Sequence, residues 1–165
     1  MISLDQLLDS RDRRALYQRQ LLEQFPEGSL VCLTVQLPGP VKRDSRSLVI
    51  GGAGLSALLN RFGSQVSYAE VKDLETGYEA YLMVAQPALE VKRVCCRLEQ
   101  EHPLGRLMDM DVMGREGPVS REQLGLPPRQ CLLCSQPARY CMRARTHTPE
   151  ELQEKINHLI NIFIP

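Results

Sequence analysis

Gly105-Arg106-Leu107-Met108-Asp109-Met110-Asp111-Val112 is the stretch whose reading decides the fold. Leu107, Met108, Met110 and Val112 frame two aspartates, so the segment reads as a buried or half-buried strand. Side chains alternate along a strand, which sends residues two apart to one face. Asp109 and Asp111 therefore converge. At a separation of ~5 Å and an effective dielectric of about 20, their repulsion is about 3 kcal/mol. A divalent cation, an arginine or a proton on one carboxyl must offset it. Arg106 lies on the opposite strand parity and is a poor direct partner unless the strand bends at Gly105. Mg2+ suits the pair, because it takes one or two carboxylates together with substrate phosphates. The competing account is a pair of solvated aspartates on an edge strand.

Toward the N-terminus, His102-Pro103 ends a helix that Pro87 opens, with Leu89, Val94, Cys95 and Leu98 on its apolar side. Cys95 and Cys96 read as small core residues. Residues 65–74 and 78–85 form paired strands around Glu75-Thr76-Gly77. Before them, Asp44 or Ser45 caps a helix to about Phe62, with Leu48, Leu55, Leu58, Leu59 and Phe62 inward. Gly51, Gly52 and Gly54 lack the spacing of a dinucleotide loop and the Lys-Ser/Thr of a P-loop, so close helix–sheet packing accounts for them.

Residues 30–37, rich in Val, Leu and Thr, read as a central strand. It runs into Pro38-Gly39-Pro40-Val41-Lys42-Arg43, a rigid turn. Lys42 and Arg43 there are either an anion site or ordinary basic residues of a surface turn. Residues 3–24 read as helix, with a capping box from Ser3 and Gln6. Its apolar stripe begins at Leu4, Leu7 and Leu8. Ser10 starts a second segment with Ala15, Leu16, Leu21 and Leu22 inward. Arg11, Arg13 and Arg14 form a basic cluster, which as a helix face is most simply solvated.

The order strand, helix, strand, strand, helix, strand is the ferredoxin-like split βαβ pattern. The expectation is an α+β fold in one domain, residues 1–165. It has a helical segment at 1–26, a ferredoxin-like βαββαβ core with a four-stranded, mainly antiparallel sheet at 30–113, and a Cys-rich segment plus helix at 114–165. In that topology the fourth strand lies antiparallel beside the first. Pro38 to Arg43 should then meet Gly105-Arg106 and the aspartates, and a basic turn beside a carboxylate pair favours a metal–phosphate site.

Beyond Gly114 the chain turns polar, with a short helical turn after Ser120 and a stop at Pro127-Pro128. Cys131-Leu132-Leu133-Cys134, Cys141 and His147 then make a Cys3His set suited to zinc. The alternative is partly buried thiols in a small subdomain. A redox pair is disfavoured, because no thioredoxin-like βαβ unit surrounds the cysteines. Arg129, Arg139, Arg143 and Arg145 make the segment basic. Thr148 caps the last helix, with Pro149 at its first position and Glu151 completing a capping box. Leu152, Ile156, Leu159, Ile160 and Phe163 pack it onto the body.

With 165 residues the chain can bury a real core. Its 20 Lys and Arg balance 20 Asp and Glu, so charge gives no sign of a nucleic-acid binder. No apolar run is long enough to span a membrane. Met1-Ile2-Ser3-Leu4-Asp5 has neither the basic nor the apolar region of a signal peptide. A cytoplasmic protein is expected, with its six cysteines as thiols or ligands.

Gly105 to Val112 resembles the G-R-L-x-D-x-D-V motif of the apo-citrate lyase phosphoribosyl-dephospho-CoA transferase family, the holo-acyl-carrier-protein synthases of citrate lyase. The resemblance continues through Arg129-Gln130-Cys131-Leu132-Leu133-Cys134, Ala138-Arg139-Tyr140-Cys141 and His147. Pro38-Gly39-Pro40-Val41-Lys42 and Arg11-Asp12-Arg13-Arg14 are also similar to the family, so nearly the whole chain is covered. It implies a nucleotidyltransferase-type enzyme. The donor would be 2'-(5-triphosphoribosyl)-3'-dephospho-CoA, the acceptor a serine of the citrate lyase acyl carrier protein (the gamma subunit), and the leaving group pyrophosphate. Asp109 and Asp111 would hold Mg2+ and help activate the serine. Arg106, Lys42 and Arg43 would neutralise the leaving group. Arg14, Arg129, Arg143 and Arg145, with Arg11, would meet phosphate or an acidic carrier surface. Glu79 and Glu70 are the candidates for a third carboxylate. The Cys131, Cys134, Cys141, His147 segment would order a lid or dock the carrier. The rival from another class is a non-catalytic adaptor that grips the carrier through a zinc knuckle.

Overall fold

The computed structural model describes residues 1–164. Five strands, β1 (Ser29–Val35), β2 (Val66–Leu74), β3 (Gly77–Val84), β4 (Met108–Gly114) and β5 (Gly117–Val119), form one antiparallel sheet in the order β2-β3-β1-β4-β5. The first four have the ferredoxin-like arrangement expected of the sequence. The fifth is an addition to the four expected. Gly117 and Pro118 made residues 117–119 read as a polar turn, but proline is tolerated on an edge strand, which this is.

Both faces of the sheet centre are covered. Helices α2 (Ser45–Phe62) and α3 (Ala88–Glu101) lie on one side and α1 (Leu4–Gln24) on the other. That is why β3 is buried at every position and β1 at all but its last. Val31, Leu33, Ala80, Leu82, Met108, Met110 and Val112 meet Ile50, Leu58, Phe62, Val91 and Cys95 in the larger core. Leu30, Cys32, Tyr81 and Met83 meet Leu21 in the smaller one. Each large apolar side chain so buried contributes about 1.5–3 kcal/mol.

Asp44 caps α2, accepting the N–H groups of Arg46 and Ser47. Gly51 and Gly54 bring this helix onto the sheet: a Cβ at Gly51 would overlap the Tyr78 ring, and one at Gly54 would lie 2.9 Å from Leu33. Helix α1 is one continuous element, not two. Ser10 lies inside it, buried, and its Oγ donates to Thr76 Oγ1 at 3.1 Å. The helix packs through Ser10, Arg14, Tyr17, Gln18 and Leu21, so Leu4, Leu8 and Leu16 stay exposed, contrary to the apolar stripe expected. Leu48, Leu59 and Leu89 are exposed for a similar reason: each helix buries only a narrow stripe.

Helix α4 (Ala138–Ala144) is short and was not anticipated. Helix α5 (Pro149–Phe163) begins with the Thr148–Glu151 capping box and packs into the larger core through Ile156 and Ile160. Among the described residues no helix is long and apolar enough to cross a membrane.

Candidate active site

Strand β4 sorts its side chains by parity. Met108, Met110 and Val112 enter the core, while Asp109 and Asp111 project together from the opposite face, the one α1 partly covers. Asp109 stands opposite Thr34, and Asp111 opposite Cys32. The rows extend across the sheet, so Glu79 shares the row of Asp109 and Tyr81 that of Asp111. Asp109 is half-buried and Asp111 more open. The Asp111 carboxyl is nevertheless raised above the ordinary aspartate range. Partial desolvation over the packed sheet is the first cause and the charge of Asp109 the second, with Lys92 and Arg14 working against them. Two adjacent carboxylates that repel each other are a donor set that fits a hard divalent cation such as Mg2+.

Arginine supplies part of the compensation. Arg129 places Nη1 3.5 Å from Asp109 Oδ1 and Nε 3.8 Å from Glu99 Oε2. Glu99 comes from α3 and is buried; it also pairs with Arg121 at 2.6 Å and accepts the Met110 N–H at 2.9 Å. Lys92 donates to the Met110 carbonyl at 3.0 Å. Glu99, Lys92 and Arg121 were missed from the sequence. The signal was present: Val91, Cys95 and Glu99 are spaced four apart, so a carboxylate continues the buried stripe of α3.

The end of β1 does meet the start of β4, since Gln36 donates its N–H to the Leu107 carbonyl at 2.8 Å. The basic turn beyond it leaves in the other direction. Arg43 pairs with Asp73 at 2.9 Å and Glu75 at 2.7 Å on the β2–β3 hairpin. Lys42 donates to the Leu37 carbonyl at 2.6 Å, and its burial lowers its pKa. Neither is brought to the aspartates, because the hairpin's acidic tip captures the turn. Arg106 donates to the carbonyls of Gln130, at 2.7 Å, and Cys131. Arg14 is tied to Glu79 at 3.0 Å. Glu79 also accepts from Tyr81, and it lies two strands, about 10 Å, from the β4 backbone. Glu70, on β2, is farther still and accepts from Tyr17 and Tyr68. Arg143 and Arg145 are exposed in and after α4.

Cys131, Cys134, Cys141 and His147 do come together. Their ligand atoms all lie within 4.8 Å of one another, with Cys134 Sγ 3.5 Å from Cys141 Sγ and 3.4 Å from His147 Nε2. Tetrahedral zinc at Zn–S distances of about 2.3 Å would set its sulfurs about 3.8 Å apart, so these four residues could hold a metal ion and their spacing is compatible with zinc. Burial raises the Cys131 thiol, but the N–H groups of Leu133 and Cys134 and the neighbouring thiols outweigh it and bring it down to about 7. Cys95 and Cys96 are buried in the core, where desolvation raises both thiols.

A family model described as apo-citrate lyase phosphoribosyl-dephospho-CoA transferase matches residues 2–163. The chain belongs to this family. A probable apo-citrate lyase phosphoribosyl-dephospho-CoA transferase of Streptococcus pyogenes serotype M18 is 40% identical over 98% of the chain and 87% of its own length. The apo-citrate lyase phosphoribosyl-dephospho-CoA transferase of Escherichia coli O1:K1 is 39% identical over 97% of the chain and 89% of its own length. The family is one of transferases that act on apo-citrate lyase, and the Asp109–Asp111 strand and the Cys/His cluster both lie within the matched span.

Proposed function

We propose that this protein transfers the phosphoribosyl-dephospho-CoA group from 2'-(5-triphosphoribosyl)-3'-dephospho-CoA to a serine of the citrate lyase acyl carrier protein. The serine oxygen forms a bond to the α-phosphorus of the donor's triphosphate, the bond to pyrophosphate breaks, and the serine proton leaves to a base. The observation that carries this reading is the shared face of Asp109 and Asp111 in a chain matched to the family over residues 2–163. The two carboxylates hold Mg2+, which supplies charge neutralisation on the triphosphate when bound. Arg129, beside Asp109, offsets part of the carboxylates' charge and holds Asp109 in place, and its bond to the Arg106 carbonyl ties it to the start of β4. Catalysis then rests on positioning and electrostatics, as in other phosphoryl transfers.

Arg14, Lys42, Arg43, Arg143 and Arg145 lie outside this cluster and serve the rest of the donor or the acidic carrier surface. The Cys131, Cys134, Cys141 and His147 cluster holds a structural zinc ion, and the enzyme works in the cytoplasm, where its thiols stay reduced.

The test is the mass of the carrier after incubation with donor, Mg2+ and enzyme. Wild type adds the prosthetic group to one serine. Asp109→Ala, folded by circular dichroism, slows this by about 10²–10³-fold or more. Unaltered transfer by that variant would end the metal assignment. Carrier binding without any transfer by the wild type would favour an adaptor.

A further inference from the structure

We propose that the zinc centre is a clasp whose function is to hold Arg129 against Asp109, so that a metal bound at one place sets the geometry of the carboxylate site at another. The inference rests on the zinc reading above and goes beyond it.

Residues 129–138 close on themselves. The Ala138 N–H donates to the Arg129 carbonyl at 2.8 Å, the Cys131 N–H donates to the Gln136 carbonyl at 2.7 Å, and Gln130 bridges to Pro137. Cys131 lies at the base of this loop and Cys134 at its tip. Cys141 lies on α4 and His147 beyond it. One ion bound to all four ties together the loop, the helix and the chain leaving the helix.

Little else can order this segment. Between Gly125 and Pro149 only Cys131 and Cys141 are buried, so the ligands are its core. Leu132 packs on the main core, but Tyr140 and Met142 are exposed. A helix as short as α4 is not stable on its own. Four ligand bonds supply the order that apolar burial here does not.

The clasp is joined to the aspartates by reciprocal arginine contacts. Arg106, at the start of β4, donates to the carbonyls of Gln130 and Cys131, the second being a ligand residue. Arg129 returns a bond from Nη2 to the Arg106 carbonyl at 3.1 Å. Its remaining nitrogens face Glu99 and Asp109. Three guanidinium nitrogens thus meet three acceptors, a fork that lysine cannot reproduce. Arg129 is two residues from Cys131, so the backbone position that the metal holds is also the position from which this fork reaches. Arg129 acts here as a positioning residue for Asp109.

The test uses the full-length protein. Elemental analysis should find about one zinc per chain. The Nε–H signal of Arg129, assigned in a 15N NMR spectrum by its loss in Arg129→Lys, should exchange slowly with water. Stripping zinc with a chelator should speed that exchange by about ten-fold or more, and restoring zinc should reverse it. Asp109→Asn should shift the same signal with zinc retained. Arg106→Met leaves all four ligands in place and should also loosen Arg129, which provides the test if zinc-free protein unfolds. In transfer assays, Arg129→Ala and zinc removal should each slow the reaction, and the two together should do no more than the stronger alone.

Protein that is purified folded with no zinc, and that binds none when zinc is supplied, would overturn both the zinc reading and the clasp. Bound zinc with an Arg129 signal indifferent to its removal, or to Arg106→Met, would overturn the clasp and leave the zinc reading standing. Additive rate losses would also overturn the clasp. The metal and NMR measurements do not depend on the transfer reaction, so failure of the proposed activity would be seen separately.

Discussion

The Glu99 carboxylate accepts the backbone N–H of Met110 at 2.9 Å, reaching from a helix to the free edge of a strand. Strand β5 pairs with β4 only from Val112 to Gly114, so Met110 has no strand partner on that side. Glu99 takes its N–H and Lys92 its carbonyl. Two charged side chains do the work of a missing strand, and they do so directly behind the aspartates.

Removing Glu99 should therefore cost far more than an average substitution. Glu99→Ala leaves Arg121 without its buried partner, Arg129 without one of its two, and the Met110 N–H without an acceptor. The expected loss is about 3–5 kcal/mol in urea denaturation. Glu99→Gln keeps a neutral acceptor for the amide and should lose less.

Close approach of α2 to the sheet is testable at adjacent glycines. Gly51→Ala places a methyl group in the Tyr78 ring and should destabilise by about 1–3 kcal/mol. Gly52 has nothing within 4 Å of an added Cβ, so Gly52→Ala should be stabilising by up to about 1 kcal/mol through helix propensity. Thermal melts of the two variants should move in opposite directions.

Asp111 gives a pH signature. Its carboxyl is raised in the folded state, so the native protein keeps a proton over a range where the unfolded chain has released it. Stability is then lost as pH rises through the raised value, and the difference disappears below the ordinary aspartate pKa of about 3.9. Asp111→Asn should be more stable than wild type at pH 7, by about 2–4 °C in Tm for each kcal/mol gained. That advantage should vanish by about pH 3.5. The same variant should lose transfer activity at pH 7.

Arg14 is the one arginine through which α1 reaches Glu79, which is 3% exposed. Arg14→Leu should destabilise the protein by about 3 kcal/mol, because a buried carboxylate loses its ion partner. The double variant Arg14→Leu, Glu79→Gln should recover part of that loss, as a denaturation cycle would show.

The sheet was legible because its signals are local. Alternation sends Met108, Met110 and Val112 one way and Asp109 and Asp111 the other, and element order alone implies the ferredoxin-like arrangement. The four zinc-type ligands were legible from residue chemistry and spacing. What the sequence concealed depends on competition among surfaces. Lys42 and Arg43 follow β1 as expected, but Asp73 and Glu75 capture Arg43 on the far side of the sheet. Leu4, Leu8 and Leu16 look like an inward stripe, yet α1 turns Arg14 and Tyr17 toward the sheet because polar partners wait there: Glu79, Tyr68 and Glu70. Arg129 looked like one basic residue among several, and only tertiary contact sets it apart.

Strand β5 is three residues long and its middle residue is Pro118. A backbone that lacks an N–H at its centre is a poor template for another chain. The protein thus ends its sheet on that side with a stop that resists lateral growth, which keeps the outermost strand beside the carboxylate site from recruiting a neighbour into fibrous aggregates.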